Sequence, residues 1–108
     1  VVEVPEVDID EARRRIDAGT PVIDVREPAE YAEGHVPGAP LIPLGEVAER
    51  ISEVPTGEVL VICRSGARSA RAAELLRAHG IDAVNVAGGT LAWIDAGGPV
   101  AHGPSADT

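Results

Sequence analysis

The chain has 108 residues, 44 % of them apolar, a formal net charge of −9 and one cysteine. That length suits a single domain, the acidity argues against a general binder of nucleic acid or anionic membranes, and one cysteine permits neither an internal disulfide nor a multi-cysteine zinc site. No apolar run approaches the ~20 residues of a membrane-spanning helix, so a cytoplasmic protein with no metal and no other cofactor is expected.

In chain order, Val1 to Val7 reads as a lead-in with at most a short edge strand, because Pro5 interrupts it. Asp8 or Asp10 offers an N-cap for a helix to about Ala18, which Gly19 stops. Pro21 to Val25 is a β-branched apolar run and predicts a buried strand. Pro28 to Tyr31 predicts a short helix with proline at its first position. Glycine and proline density makes 34–40 a loop, and Leu41-Ile42 a very short strand closed by Pro43. Leu44, Val47, Ala48 and Ile51 have helical spacing and predict a helix to about Val54. Val59 to Ile62 is a continuous apolar strand, buried on both faces. Ala70 to His79 predicts a helix with an Ala72, Leu75, Leu76 stripe and Gly80 at its end. Ile81 to Val86 is the next strand, and a glycine turn leads into a short helix carrying Leu91, Trp93 and Ile94. The domain core spans about residues 5–100, and composition predicts a mobile tail over 101–108. Strands alternating with helices at this spacing predict a mostly parallel sheet, whose ligands sit at the carboxyl ends of the strands.

Cys63 lies at that end of the most apolar strand and opens Cys63-Arg64-Ser65-Gly66-Ala67-Arg68-Ser69. Residues 59–77 hold four arginines against one acid, a basic patch in an acidic chain. Most free cysteines are small buried hydrophobes. Here the residues that follow are polar, charged and glycine-containing, which favours a nucleophile. Gly66 can turn successive N–H groups inward as an anion nest, and a helix start adds its own unpaired donors. Every such feature stabilises a thiolate. Arg64 and Arg68 are ordinary surface charges in the bland reading. Positive charge at a helix N-terminus is unfavourable, so a bound anion or the thiolate is expected to compensate it. Ser65 and Ser69 read first as N-caps, with a hydrogen bond from Ser69 to sulfur as the second role.

This loop resembles the active-site loop of rhodanese domains, of the single-domain sulfurtransferase kind. Asp24-Val25-Arg26-Glu27, Glu30-Tyr31 with Gly34-His35-Val36-Pro37-Gly38-Ala39, and Asn85 to Trp93 are similar to that family's other motifs, in its order and spacing. The resemblance implies a five-stranded parallel sheet flanked by helices and a thiosulfate sulfurtransferase in which Cys63 is catalytic and carries sulfur as a persulfide. It implies that Arg64, Ser65, Gly66, Ala67, Arg68 and Ser69 bind a small anionic donor, and that a thiophilic acceptor such as cyanide, a thiol or a protein takes the sulfur. Asp24, Arg26 and His35 are assigned to scaffold contacts. The alternative is a rhodanese-like interaction or regulatory module without turnover. Related phosphatases and arsenate reductases place the arginine six positions after the cysteine; Arg68 is five positions after Cys63, a loop sized for sulfur. Arg64 also departs from the small residue that mercaptopyruvate-using relatives carry after the cysteine.

Overall fold

A computed structural model describes residues 3–104. Its elements are β1 (Glu6–Val7), α1 (Ile9–Asp17), β2 (Val22–Asp24), α2 (Pro28–Glu33), β3 (Glu58–Ile62), α3 (Ala67–Ala78), β4 (Asp82–Val86) and α4 (Gly89–Asp95). The four strands form one parallel sheet in the order β1-β4-β3-β2. Local chemistry explains where the helices begin. Asp8 caps α1 by accepting from the Glu11 N–H at 2.9 Å, and Pro28 occupies the first turn of α2. Among the described residues, no helix is long and apolar enough to cross a membrane.

Side chains of β3 alternate between two cores, as the period of a strand requires. Val59, Val61 and Cys63 pack with Ala72, Ala73 and Leu76 of α3 on one face. Leu60 and Ile62 pack with Ala12 of α1 and Trp93 of α4 on the other. Burying each of the larger aliphatic side chains contributes about 1.5–3 kcal/mol. The strand that carries the cysteine is therefore anchored from both sides.

Several expectations need correction. The expected fifth strand is reduced to a bridge between Leu41 and Asp24. The Asp24 N–H donates to the Pro40 carbonyl and the Ile42 N–H to the Asp24 carbonyl, each at 2.9 Å. Prolines at 40 and 43 confine the pairing to that point. The helix expected over 44–54 is instead two single 3₁₀ turns, Leu44–Glu46 and Ile51–Glu53, joined by hydrogen-bonded turns. Apolar spacing of three fits a 3₁₀ turn as well as an α-helix, Gly45 weakens the α-helical alternative, and the Leu44 N–H is held by the Val25 carbonyl at 3.0 Å. Helix α3 starts at Ala67, three residues before the predicted Ala70, because Gly66 (φ +115°) turns the chain straight into it. In α4 the apolar trio divides: Trp93 is buried, whereas Leu91 and Ile94 are 46 % and 50 % exposed. Finally, the segment expected as a tail begins with anchored residues. Ala101 pairs with His35 as an antiparallel bridge, and the Gly103 N–H donates to the Ala32 carbonyl at 2.9 Å. Residues 105–108 of that expectation lie outside the described residues.

Candidate active site

The loop from Cys63 to Ser69 links the buried end of β3 to the first turn of α3. Cys63 is 1 % exposed, Arg64, Ser65 and Ala67 are exposed, Gly66 and Arg68 are half-buried, and Ser69 is buried. The left-handed turn at Gly66 brings its N–H to 3.1 Å from Cys63 Sγ. One turn into the helix, the Ser69 hydroxyl lies 3.2 Å from the same sulfur. Ser69 is thus not the N-cap of α3, a position taken by Gly66; its hydroxyl serves the sulfur and Asn85. The structure brings Cys63, Gly66 and Ser69 together, while Arg64 and Ser65 face outward.

Two opposing influences set the ionisation of Cys63. Burial is the largest and pushes the thiol up, but the Ser69 hydroxyl and the backbone N–H groups of Ser69, Gly66 and Ser65 together outweigh it. The net pKa lies below the ordinary thiol value. Ser69→Ala removes the largest of the lowering contributions. The pH midpoint for alkylation of Cys63 by iodoacetamide is therefore expected to rise in that variant; an unchanged midpoint would remove Ser69 from thiolate stabilisation.

Asn85 is the contributor that sequence reasoning passed over. It lies in β4, 1 % exposed, and its Oδ1 accepts from the Ser69 hydroxyl at 2.6 Å. Its Nδ2 donates to Glu6 Oε2 at 2.9 Å and to the Gly66 carbonyl at 3.2 Å, which assigns the amide orientation. The single Ser69 proton serves either Asn85 or the sulfur at one time. The signal was present in the sequence: an asparagine inside Ala83-Val84-Asn85-Val86 must find partners when buried.

The first turn of α4 clasps the loop's backbone. The Thr90 N–H and hydroxyl donate to the Cys63 carbonyl at 2.8 and 2.9 Å, and the Leu91 N–H donates to the Arg64 carbonyl at 3.1 Å. Gly89 (φ +58°) allows this approach, since a Cβ there would lie 2.5 Å from the Arg64 carbonyl oxygen and 2.6 Å from that of Cys63.

The arginines divide as well. Arg68 donates two hydrogen bonds to Glu30, at 2.7 and 2.8 Å. The compensation for its charge at the start of α3 is therefore a carboxylate from α2. That contact is the chief reason the Glu30 pKa is lowered to about 2. Arg64 makes no ion pair among the described residues and borders a cleft of about 320 Å³ with Arg26, Glu30, Glu33, Leu91 and Ile94. Arg26 is buried and grips Asp24 through Nε and Nη2 at 2.8–3.1 Å, while Nη2 also reaches the Gly34 carbonyl at 2.8 Å. His35 Nδ1 pairs with the Tyr31 carbonyl at 2.7 Å, and the two rings stack with centroids 3.6 Å apart. Asp24, Arg26 and His35 thus make scaffold contacts, as expected. Among the described residues, no cluster of side chains suited to a metal ion is present.

Comparison with known proteins places this geometry in context. The sulfurtransferase of Allochromatium vinosum is 41 % identical over 73 % of this chain and 76 % of its own length. Thiosulfate sulfurtransferase 18 of Arabidopsis thaliana is 36 % identical over 91 % of this chain and 84 % of its own. A further relative from Bacillus subtilis is longer, and the chain spans about half of it, 51 %. A rhodanese-related protein of Thermoplasma volcanium, known from its crystal structure, superposes with a TM-score of 0.84 at 35 % identity, covering 90 % of this chain and 97 % of that one. The family model for the rhodanese-like domain matches residues 8–96, a span that holds the whole cysteine loop, the Asp24–Arg26 pair and the Gly89-Thr90 clasp. With parallel sheet, loop and family pattern in agreement, this chain belongs to the rhodanese-like domain family of sulfurtransferases.

Proposed function

We propose that the protein is a thiosulfate sulfurtransferase in which Cys63 carries sulfane sulfur as a persulfide. The Cys63 thiolate attacks the outer sulfur of thiosulfate; the S–S bond of the donor breaks, and sulfite leaves with the bonding pair. Cyanide then attacks the terminal sulfur of the persulfide, forming thiocyanate and returning the thiolate. A thiol acceptor would leave as its own persulfide. Each half-reaction is a displacement at sulfur, so the kinetics are ping-pong.

The observation that carries this reading is the convergence of the Gly66 N–H and the Ser69 hydroxyl on Cys63 Sγ. Those donors suit a thiolate, and the loop's backbone N–H groups are the candidates to hold the outer sulfur of the persulfide. Arg64 supplies the exposed cation that attracts an anionic donor, and Arg68, Ser65 and Ala67 complete the loop around it. Loop length supports sulfur over phosphate, because the arginine follows the cysteine by five positions. A cytoplasmic setting suits a thiol that must stay reduced between turnovers.

The test is a steady-state panel with thiosulfate as donor and cyanide, glutathione or a dithiol as acceptor. Parallel double-reciprocal lines with at least one acceptor are expected. Intersecting lines would demand a ternary complex and contradict a persulfide intermediate. No turnover with any acceptor would favour a binding module.

A further inference from the structure

We propose that Glu30 is a specificity-determining residue. By holding Arg68 it lowers the positive charge of the cysteine loop and favours sulfur donors of lower charge over the thiosulfate dianion. This rests on the sulfurtransferase reading above and concerns which donors that site prefers.

The geometry is specific. Glu30 occupies two N–H groups of the Arg68 guanidinium, so a donor using that fork must displace a carboxylate. Glu30 is held from a second side, because its Oε1 also accepts from the Glu27 N–H at 3.1 Å in the capping box of α2. The Glu30 carboxylate is ionised at neutral pH as an ordinary glutamate is, and the Arg68 contact lowers its pKa further, to about 2. Around the cleft the other charges also balance. Arg26 is paired with Asp24, leaving Arg64 and Glu33 as opposite charges without an ion pair among the described residues. Of the arginines in residues 59–77, Arg68 is therefore neutralised by an acid 38 positions away in the chain, and Arg64 shares the neighbouring cleft with the opposite charge of Glu33. A dianion gains little at such a site, whereas an organic thiosulfonate or persulfide with one charge or none loses little by comparison. Exposed Leu91 and Ile94 on the cleft wall provide apolar surface for the organic part of such a donor.

The experiment compares thiosulfate with benzenethiosulfonate, a monoanion that also transfers its outer sulfur to Cys63, releasing benzenesulfinate. Cyanide is the acceptor for both. Glu30→Gln keeps one carbonyl oxygen, able to accept from the Glu27 N–H and one Arg68 N–H as Oε1 does now, while removing the charge and the second acceptor. In this variant kcat/KM should rise roughly 10-fold for thiosulfate and about 3-fold for benzenethiosulfonate, with a steeper salt dependence for the dianion. In a second variant, Arg68→Ala, Glu30 is left as an unpaired anion. That variant should lose more activity with thiosulfate than with benzenethiosulfonate, and adding Glu30→Gln to it should restore the donor ratio. A purely structural role would change both donors by one common factor, and a constant ratio in both backgrounds overturns the proposal. If the wild-type protein transfers sulfur but the ratio never moves, the role of Glu30 alone falls. If the wild type transfers from neither donor, the sulfurtransferase reading falls and takes this inference with it.

Discussion

Cys63→Ser is expected to reduce thiosulfate-to-cyanide transfer to the uncatalysed level while leaving the fold intact. Cys63 is the one cysteine of the chain, so no second thiol can substitute as carrier. A serine hydroxyl is a poor nucleophile towards sulfur and does not ionise near neutral pH. The replacement is close in size, and its oxygen can accept from the Gly66 N–H and Ser69 hydroxyl that now face Sγ. With both donors retained, the stability change should stay within about 1 kcal/mol even at this 1 % exposed site. Thiocyanate formation and the denaturation midpoint, measured on the same preparation, check both halves. Activity above about a thousandth of wild type in a folded variant would remove Cys63 from the proposed chemistry.

Arg26→Ala is expected to carry the largest stability loss among single changes near the site. Asp24 is fully buried and Arg26 is 5 % exposed, and the pair is joined in a forked contact. Deleting the guanidinium leaves a buried carboxylate without its counter-charge and frees the Gly34 carbonyl. Breaking a buried pair from one side costs roughly 3–5 kcal/mol. A domain of this size commonly has about 5–15 kcal/mol in total. Asp24→Asn combined with Arg26→Ala should lose less than Arg26→Ala alone, since no unpaired charge remains. Urea denaturation decides it: a loss under about 1 kcal/mol for Arg26→Ala would mean that water reaches Asp24 and the pair contributes little.

The two predictions draw on different parts of the fold, and those parts differ in how far the sequence reveals them. Local signals read well. Asp8 caps α1, Pro28 opens α2, and Val59 to Ile62 forms the buried strand ending at the cysteine. Each depends on residues within one turn or one strand. The failures come where one pattern serves two geometries. Spacing at Leu44, Val47 and Ile51 accommodates 3₁₀ turns, so periodicity alone could not separate them from an α-helix. Leu41 satisfies a strand pattern, yet flanking prolines limit it to a bridge.

In the site, the Cys63–Gly66 contact follows from the local glycine turn and was legible from the motif. The Arg68–Glu30 pair and the Asn85–Ser69 hydrogen bond join α3 to α2 and to β4. No local spacing encodes either, because they form only when parallel strands bring their ends to one edge of the sheet. Glu30 and Asn85 were visible as members of motifs. Their task beside the cysteine required the fold.

The central claim is that Cys63 holds a sulfur atom between donor and acceptor. Intact-protein mass spectrometry after thiosulfate treatment tests it most directly. A gain of one sulfur atom is expected in the wild-type chain, removed by cyanide and absent from Cys63→Ser. No gain in the wild type, or a gain that survives in Cys63→Ser, would contradict it.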